Sequence, residues 1–437
     1  MRAIATFVLG LLITSGACSV NAPMDGRKLG VILNQDDSAR LYLSPGSAIT
    51  AQWHRDHLLM QLIVSKPGVY SQCVGFPDPV IYRSKVATTM DKYIGQYTKD
   101  VRGDAMRRLL ELGTDPLELV VEVCRQRGVL IVANFRMNAE DFGKNQLKLS
   151  DFGRAHKDWA IPGANCLDPA IPEVYEHRMA IFREVAENYD IDGLEFDFRR
   201  WANMVSEPLK NHGVLTRMVR DTRRMLDEVA RKKRRKQRLL LGARVGISID
   251  GPGFRHVDKS CRDLGLDVKT WVAEELVDYL IPSTFGGSFD RSRWDGNEKK
   301  FMDVAGFVDL VKGKPIGIYP TMWHYGPKVK KGSDDPVNKW NEFFVSSDDP
   351  KAMRRYKNGL CDTALDHYAK GAHGVSTFNW NQPDSQVFRF GVGAQMIGTY
   401  VYPLLGDPDA LRAYRKADHI LPDWFRLPWD EHKRWKR

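Results

Sequence analysis

Eight short apolar, β-rich runs recur in order along this chain, and most are followed by an amphipathic helical stretch. The runs are Leu29–Asn34, Leu58–Val64, Val129–Asn138, Asp192–Phe198, Leu239–Ser248, Tyr279–Gly286, Pro315–Met322 and Gly374–Trp380. Continuous apolar runs alternating with helices are the pattern of a parallel sheet buried on both faces. Eight of them in one chain favour closure into a barrel over an open doubly wound sheet. The expectation is therefore an α/β fold, a single (β/α)8 TIM barrel with long βα loops over residues 23–437. A length of 437 residues fits one such unit, and 43% hydrophobic composition supplies its core.

Helix punctuation agrees with this reading. Helical patterns cover Asp115–Gln126, Pro172–Tyr189, Leu215–Arg231, Val268–Leu276 and Asp349–Ala369. Asp115-Pro116 and Asp349-Pro350 each place a capping carboxylate before a first-turn proline, Gly128 closes one helix, and Asp267 can cap another. Three connections, 65–128, 139–191 and 323–373, are long. Segments leaving strand C-termini lie on the functional face of a barrel, so this excess predicts the walls of a cleft.

The first 22 residues read as an export signal: Arg2, an apolar run from Ile4 to Ile13, then small residues. Cleavage fits after Ala17 or after Ala22. Gly16-Ala17-Cys18 also resembles the end of a lipoprotein box, with Cys18 as a lipid acceptor. An exported protein, periplasmic or extracellular, is expected. Later segments carry no apolar stretch long enough for a membrane span.

Cys73, Cys124, Cys166, Cys261 and Cys361 are odd in number and lack CxxC spacing, which predicts mostly buried free thiols. The net charge of +10 is concentrated in two places, Arg231–Arg238 and the last five residues. Outside those clusters the chain is near neutral, so no nucleic-acid surface is expected and the clusters read as solvated. Gly286-Gly287-Ser288 lacks the strand–GxGxxG–helix context of a dinucleotide site, and no cofactor is expected. No metal is expected either: His54 and His57 stand ahead of a strand rather than at its C-terminal end.

The chemistry is densest in Tyr189-Asp-Ile-Asp-Gly-Leu-Glu-Phe-Asp-Phe-Arg-Arg-Trp201. Alternation along a strand puts Glu195 and Asp197 on one face and Leu194, Phe196 and Phe198 on the other. The apolar three suit covering helices, so the carboxylates must face the axis, with Asp197 nearer the open end and Glu195 one layer deeper. Arg199 keeps their parity. A strand C-terminus is where barrel enzymes carry catalytic groups. The bland alternative is a structural salt-bridge cluster.

Other strand ends bring polar and aromatic groups to the same rim. They are Asn34 and Asp36; Arg136 and Asn138, with Glu140 beyond; Arg244 and Asp250; Tyr319, Trp323 and His324; and Asn379 and Trp380. Amides, carboxylates and guanidinium groups suit sugar hydroxyls, and flat rings suit the apolar side of a pyranose. Glycosidic cleavage needs two carboxylates. Asp197 is the candidate for one, Glu195 stands beside it, and Asp250, Asp36 or Glu140 could supply the other.

Several of these segments resemble the family 10-like glycosyl hydrolases, a group of secreted (β/α)8 barrels. The matching residues are Arg136-Met137-Asn138, Trp159, Leu167-Asp168 with Pro172-Glu173-Val174, and Tyr189 through Phe198. Leu264-Gly265-Leu266-Asp267-Val268 before Trp271, and Phe378-Asn379-Trp380, also match. The resemblance implies carbohydrate hydrolysis, with Asp197 the residue whose role it carries over. Asp192 through Arg199 is also similar to the strand-four motif of family 18 chitinases, but Arg199 occupies their general-acid position, so a chitinase is not expected.

The leading expectation is a glycoside hydrolase acting on a poly- or oligosaccharide. Arg136, Arg199 and Arg244 would suit a carboxylated or sulfated sugar. Arg199 also sustains the alternative of a catalytically silent carbohydrate-binding barrel.

Overall fold

The computed structural model describes residues 25–36, 41, 44–92, 101–137, 150–164, 166–199, 204–251, 259–283, 302–322, 349–378 and 396–420. These form an α/β fold around one curled, all-parallel sheet. Its strands are β1 (Val31–Asp36), β2 (Val69–Gly75), β3 (Leu130–Arg136), β4 (Gly193–Asp197), β5 (Leu240–Val245), β6 (Tyr279–Pro282), β7 (Gly317–Ile318), β8 (Thr321–Met322) and β9 (Val375–Phe378). Their spatial order is β7-β6-β5-β4-β3-β2-β1-β9-β8. The two outermost strands, β7 and β8, are thus only two residues apart in the chain.

The helices are α1 (Ala51–Ser65), α2 (Val101–Glu111), α3 (Pro116–Arg127), α4 (Asp151–Ala155), α5 (Pro172–Asn188), α6 (Pro208–Lys232), α7 (Val268–Ala273), α8 (Val304–Leu310), α9 (Pro350–Ala369) and α10 (Pro408–Lys416). The expected punctuation is present. Asp115 accepts from Glu118 N, Asp267 from Thr270 N, and Asp349 from Lys351 N and Ala352 N, while Gly128 ends α3 in the left-handed region.

Strand alternation sorts the core into two parts. Convex-face residues such as Leu33, Ile131, Leu194, Phe196, Leu241 and Leu280 join the helices in the main apolar cluster. On the concave face, Leu29, Ile32, Val69, Val132, Leu240 and Ile281 close the floor, together with the rings of Tyr279 and Tyr319.

The second strand is not where the apolar pattern predicts it. Leu58–Val64 lies inside α1, and the strand is β2, eleven residues on. Thr50 caps that helix by accepting from Trp53 N, and Lys66 ends it at φ 47°. Its burial follows helical spacing, with Leu58, Gln61, Leu62 and Ser65 covered while Met60 and Ile63 stay exposed. The connection 65–128 is consequently not a loop but carries β2, α2 and α3. Run seven is divided into β7 and β8.

The basic stretch also differs from expectation. It continues α6; Arg231, Lys232, Arg234 and Lys236 are exposed as expected, whereas Lys233, Arg235 and Arg238 are half-buried and underpin the sheet. Lys233 Nζ donates to the carbonyls of Ala186 and Tyr189, at 2.8 and 2.6 Å. Arg235 pairs with Asp190 and Asp192, and Arg238 with Asp278. All five described cysteines, Cys73, Cys124, Cys166, Cys261 and Cys361, are buried thiols outside any disulfide. No helix among the described residues is long and apolar enough to cross a membrane.

Candidate active site

Glu195 is the point on which the concave face converges. Its Oε1 accepts from Asn134 Nδ2 at 2.7 Å, Ser71 Oγ at 2.9 Å and Asn34 Nδ2 at 3.2 Å. Its Oε2 accepts from the Tyr279 hydroxyl at 2.8 Å. These donors come from β3, β2, β1 and β6, so one carboxylate ties five strands together, its own included. Gly242, Glu195's neighbour in register on β5, makes room for this. A Cβ there would fall 2.0 Å from Tyr279 Cζ, so no larger residue leaves the ring where it is. Burial drives the Glu195 carboxyl above its ordinary range, and the Arg244 charge and the Tyr279, Ser71 and Asn134 hydrogen bonds only partly pull it back.

With no exposed surface at all, Glu195 does not open onto the mouth. It is a buried anchor, which leaves Asp197 as the candidate carboxylate on β4. The signal for this was its depth, one layer below the strand end.

Above that layer sit Asp36, Arg136, Asp197, Arg244 and Phe378, each on the concave face of its strand. Asp197 is in register with Arg136 on one side and Arg244 on the other. Its Oδ1 accepts from the Arg199 backbone N–H at 2.9 Å. Arg136 Nη2 donates to Asp36 Oδ1, which makes a buried ion pair across β1 and β3. The Phe378 ring faces two cations, with the Arg244 guanidinium carbon 5.0 Å and that of Arg136 5.9 Å from its centroid. Asn34, Asp36, Arg136, Arg244 and Asp197 are thereby gathered as predicted.

Arg199 keeps its place beside Asp197 but turns its guanidinium away, with Nε donating to the Ser283 carbonyl at 3.0 Å. Two predicted residues are not part of the cluster. Asp250 is paired with Lys269 and half exposed. It lines a recess of about 280 Å³ with His212, Arg262 and Asp267, whose lining includes neither Glu195 nor Asp197. Tyr319 points to the floor, where its hydroxyl accepts from Leu29 N at 2.9 Å and donates to Gly26 O at 2.8 Å. Fully committed hydrogen bonding at the closed end makes it structural, not a sugar contact. Asn138, Glu140, Trp323, His324, Asn379 and Trp380 lie outside the described residues.

Sequence reasoning missed Ser71, Tyr279 and Phe378. Ser71 sat in the misplaced second strand. Tyr279 opens its strand on the floor side, and only its hydroxyl reaches upward. Phe378 entered only as part of the Phe378-Asn379-Trp380 resemblance, and nothing local shows two arginines against its ring. No group of three or more His, Cys, Asp or Glu side chains that could hold a metal occurs among the described residues.

The concave, polar end of this parallel sheet is thus a compact array of carboxylates, guanidinium groups and one aromatic ring. No protein-family model matches the chain. Among curated proteins it is similar to Glycosyl hydrolase DigH of Escherichia coli (strain K12), 24% identical over 270 residues, which cover 51% of this chain and 60% of DigH. The protein of the same name from Shigella flexneri matches to the same extent. The match therefore spans about three fifths of these relatives' length. Among solved structures, the endo-1,4-beta-mannanase from Rhizomucor miehei superposes with a TM-score of 0.48 at 10% identity, over 86% of this chain and 94% of that one. The endo-beta-1,4-mannanase from Thermotoga petrophila gives 0.47 at 11% identity, over 90% and 78%.

Proposed function

We propose that this protein is a glycoside hydrolase that cleaves a poly- or oligosaccharide at the C-terminal ends of its strands, with Asp197 as a reacting carboxylate. The observation that carries the reading is the side-by-side placement of Asp197 and the Asp36–Arg136 pair at the open end of the concave face, above an otherwise closed floor. The match to Glycosyl hydrolase DigH points the same way, and the resemblance to the family 10-like glycosyl hydrolases is part of this reading.

Two carboxylates are required, one to protonate the leaving oxygen and one to act as nucleophile or base. Asp36 is the second carboxylate of this proposal, because Glu195 is sealed beneath it and Asp250 is engaged with Lys269. Asp36, held by a guanidinium, suits the ionised partner. Phe378 offers an aromatic face at the same level.

In the proposed architecture β7 and β8 are two halves of one stave, so that the sheet closes as an eight-stranded barrel. Tyr319 N donates to Leu280 O on the β6 side at 2.9 Å, while Ser376 N donates to Pro320 O on the β9 side at 3.0 Å. The inward and outward alternation also runs unbroken from Gly317 to Met322. Closure predicts that the amides of Tyr319 and Ser376 both exchange slowly with deuterium; fast exchange at either would mean an open edge.

Export by residues 1–22 belongs to the same proposal, with cleavage after Ala17 or Ala22 or lipidation at Cys18. Fractionation followed by N-terminal sequencing of the mature chain tests it.

The activity itself is tested by reducing-sugar release from neutral, uronic and sulfated polysaccharides. Asp197→Asn is expected to lower turnover by about a thousandfold or more while glycan binding persists. Undiminished turnover in that variant would remove Asp197 from the reaction. Binding without turnover by the unaltered protein would favour the second reading, a silent carbohydrate-binding barrel, which Arg199 beside Asp197 keeps in view.

A further inference from the structure

Arg244 carries two buried donors that no described residue receives. Its side chain rises from β5 on the concave face, one step above Gly242, and is 2% exposed. Nε and Nη2 have no hydrogen-bond partner among the described residues. No hydrogen bond joins Arg244 to either neighbouring carboxylate among the described residues: Glu195, on which its charge acts, is held by Asn34, Ser71, Asn134 and Tyr279, and Asp197 Oδ1 takes the Arg199 amide. Burying charged donors unpaired is unfavourable, because each loses its water partners and gains nothing in return. A fold that tolerates it leaves the place for an acceptor from outside.

The two idle nitrogens identify the acceptor's shape. Nε–H and Nη2–H lie on one edge of the guanidinium plane and run parallel, at the spacing of the two oxygens of a carboxylate. The chain itself uses that edge in this way. Arg220 gives Nε and Nη2 to the two oxygens of Glu274 at 2.8 and 2.7 Å, and Arg415 does so to Asp362 at 2.8 and 3.2 Å. At Arg244 the same fork is present without its carboxylate, and the Phe378 ring 5.0 Å away holds the guanidinium in place. Arg136, by contrast, already has Asp36, and Arg199 has the Ser283 carbonyl.

We propose that Arg244 is a specificity-determining residue that receives the carboxylate of an acidic sugar, a uronic-acid-type residue of the substrate, through a bidentate Nε/Nη2 contact. The proposal rests on the hydrolase reading for its substrate but not for its binding chemistry. The carboxylate supplies two coplanar oxygens to a fork already oriented, whereas a neutral hydroxymethyl group supplies one and leaves the second donor unpaired.

The test compares acidic oligosaccharides with their carboxyl-reduced counterparts, which keep the same backbone and linkage. Binding to the Asp197→Asn protein is measured by calorimetry, and turnover is measured with the unaltered protein. The acidic form of at least one glycan is expected to bind about tenfold or more tighter than its reduced form. Adding Arg244→Gln or Arg244→Lys should weaken the acidic form by about 10- to 100-fold and the reduced form by no more than about threefold. Lys keeps the charge and loses the fork, so it separates shape from charge, and the unaltered protein's preference stands even if a variant folds poorly.

Equal affinity for acidic and reduced forms, equal weakening of both by Arg244→Gln, full retention of the preference by Arg244→Lys, a preference for sulfated over carboxylated chains, or no binding of any acidic glycan would each overturn it. Turnover of neutral glycans without an acidic preference would sink this inference and leave the hydrolase reading standing. Acidic preference with no turnover of any glycan would do the reverse.

Discussion

The Tyr279 hydroxyl donates a 2.8 Å hydrogen bond to Oε2 of Glu195 from two strands away, through the space that Gly242 leaves on the strand between them. Any side chain at 242 would occupy the position of that ring. Gly242→Ala should therefore push Tyr279 aside and unfold at lower denaturant, a loss of about 2–4 kcal/mol. Tyr279→Phe, which keeps the ring and removes the donor, should cost about 1.5–3 kcal/mol. Urea titrations of the three proteins measure both, and a Gly242→Ala protein as stable as its parent would show that the ring has another place to go.

The same hydrogen bonds make Glu195 a stability group with a defined pH signature. Burial raises its carboxyl above the usual value of 4.5 in the folded state, so the folded chain holds a proton that the unfolded chain releases. Stability assigned to this group is then lost as pH climbs from that ordinary value through the raised one, and none is lost below it. Glu195→Gln should flatten this decline. Glu195→Ala should cost about 3–5 kcal/mol at any pH, because four donors lose their acceptor. If the difference in unfolding midpoint between Glu195→Gln and the parent is constant with pH, the assignment fails.

Asp36 and Asp197 act together in the proposed reaction, so Asp36→Asn should lower kcat by about a hundredfold or more in the folded protein, together with a lower Tm from the lost charge opposite buried Arg136. Full activity in that variant would move the second carboxylate to Glu140 or Asp250.

The floor should be separable from the chemistry. Asp278 accepts from Leu241 N at 2.7 Å and pairs with Arg223 and Arg238, at 3.2 and 2.7 Å. Asp278→Ala leaves two arginines and a strand amide unanswered and should cost about 3–5 kcal/mol of stability, with kcat preserved in the folded fraction. A selective fall in kcat would mean that the floor tunes the mouth.

Tyr319→Phe is predicted to lower stability by about 1–3 kcal/mol through the lost Gly26 and Leu29 contacts, with KM unchanged. A raised KM would return Tyr319 to the binding residues.

Much of this arrangement was legible in the chain. The period-2 alternation of Glu195 and Asp197 against Leu194, Phe196 and Phe198 fixed which side of β4 faces inward, because only one assignment buries the aromatic pair against helices. The caps at Asp115, Asp267 and Asp349 were readable because capping is settled within four residues. The second strand was not. Leu58–Val64 is apolar enough for either element, and β2 disguises itself by placing Ser71 and Gln72 inside a buried strand.

The sequence by itself determined that strands and helices alternate, which face of β4 points inward, and that acids and arginines gather at one end. Those are consequences of local periodicity and covalent spacing. Only the tertiary structure decided that Glu195 lies in a lower layer with four donors on its carboxylate and Asp197 in the layer above, that Tyr319 faces the floor, and that Arg244 keeps its Nε/Nη2 fork without a partner among the described residues. Each of these depends on which side chains, 61 to 293 residues apart, meet across a curled sheet, and hydrogen-bond satisfaction is settled by that meeting rather than by any residue's neighbours in the chain.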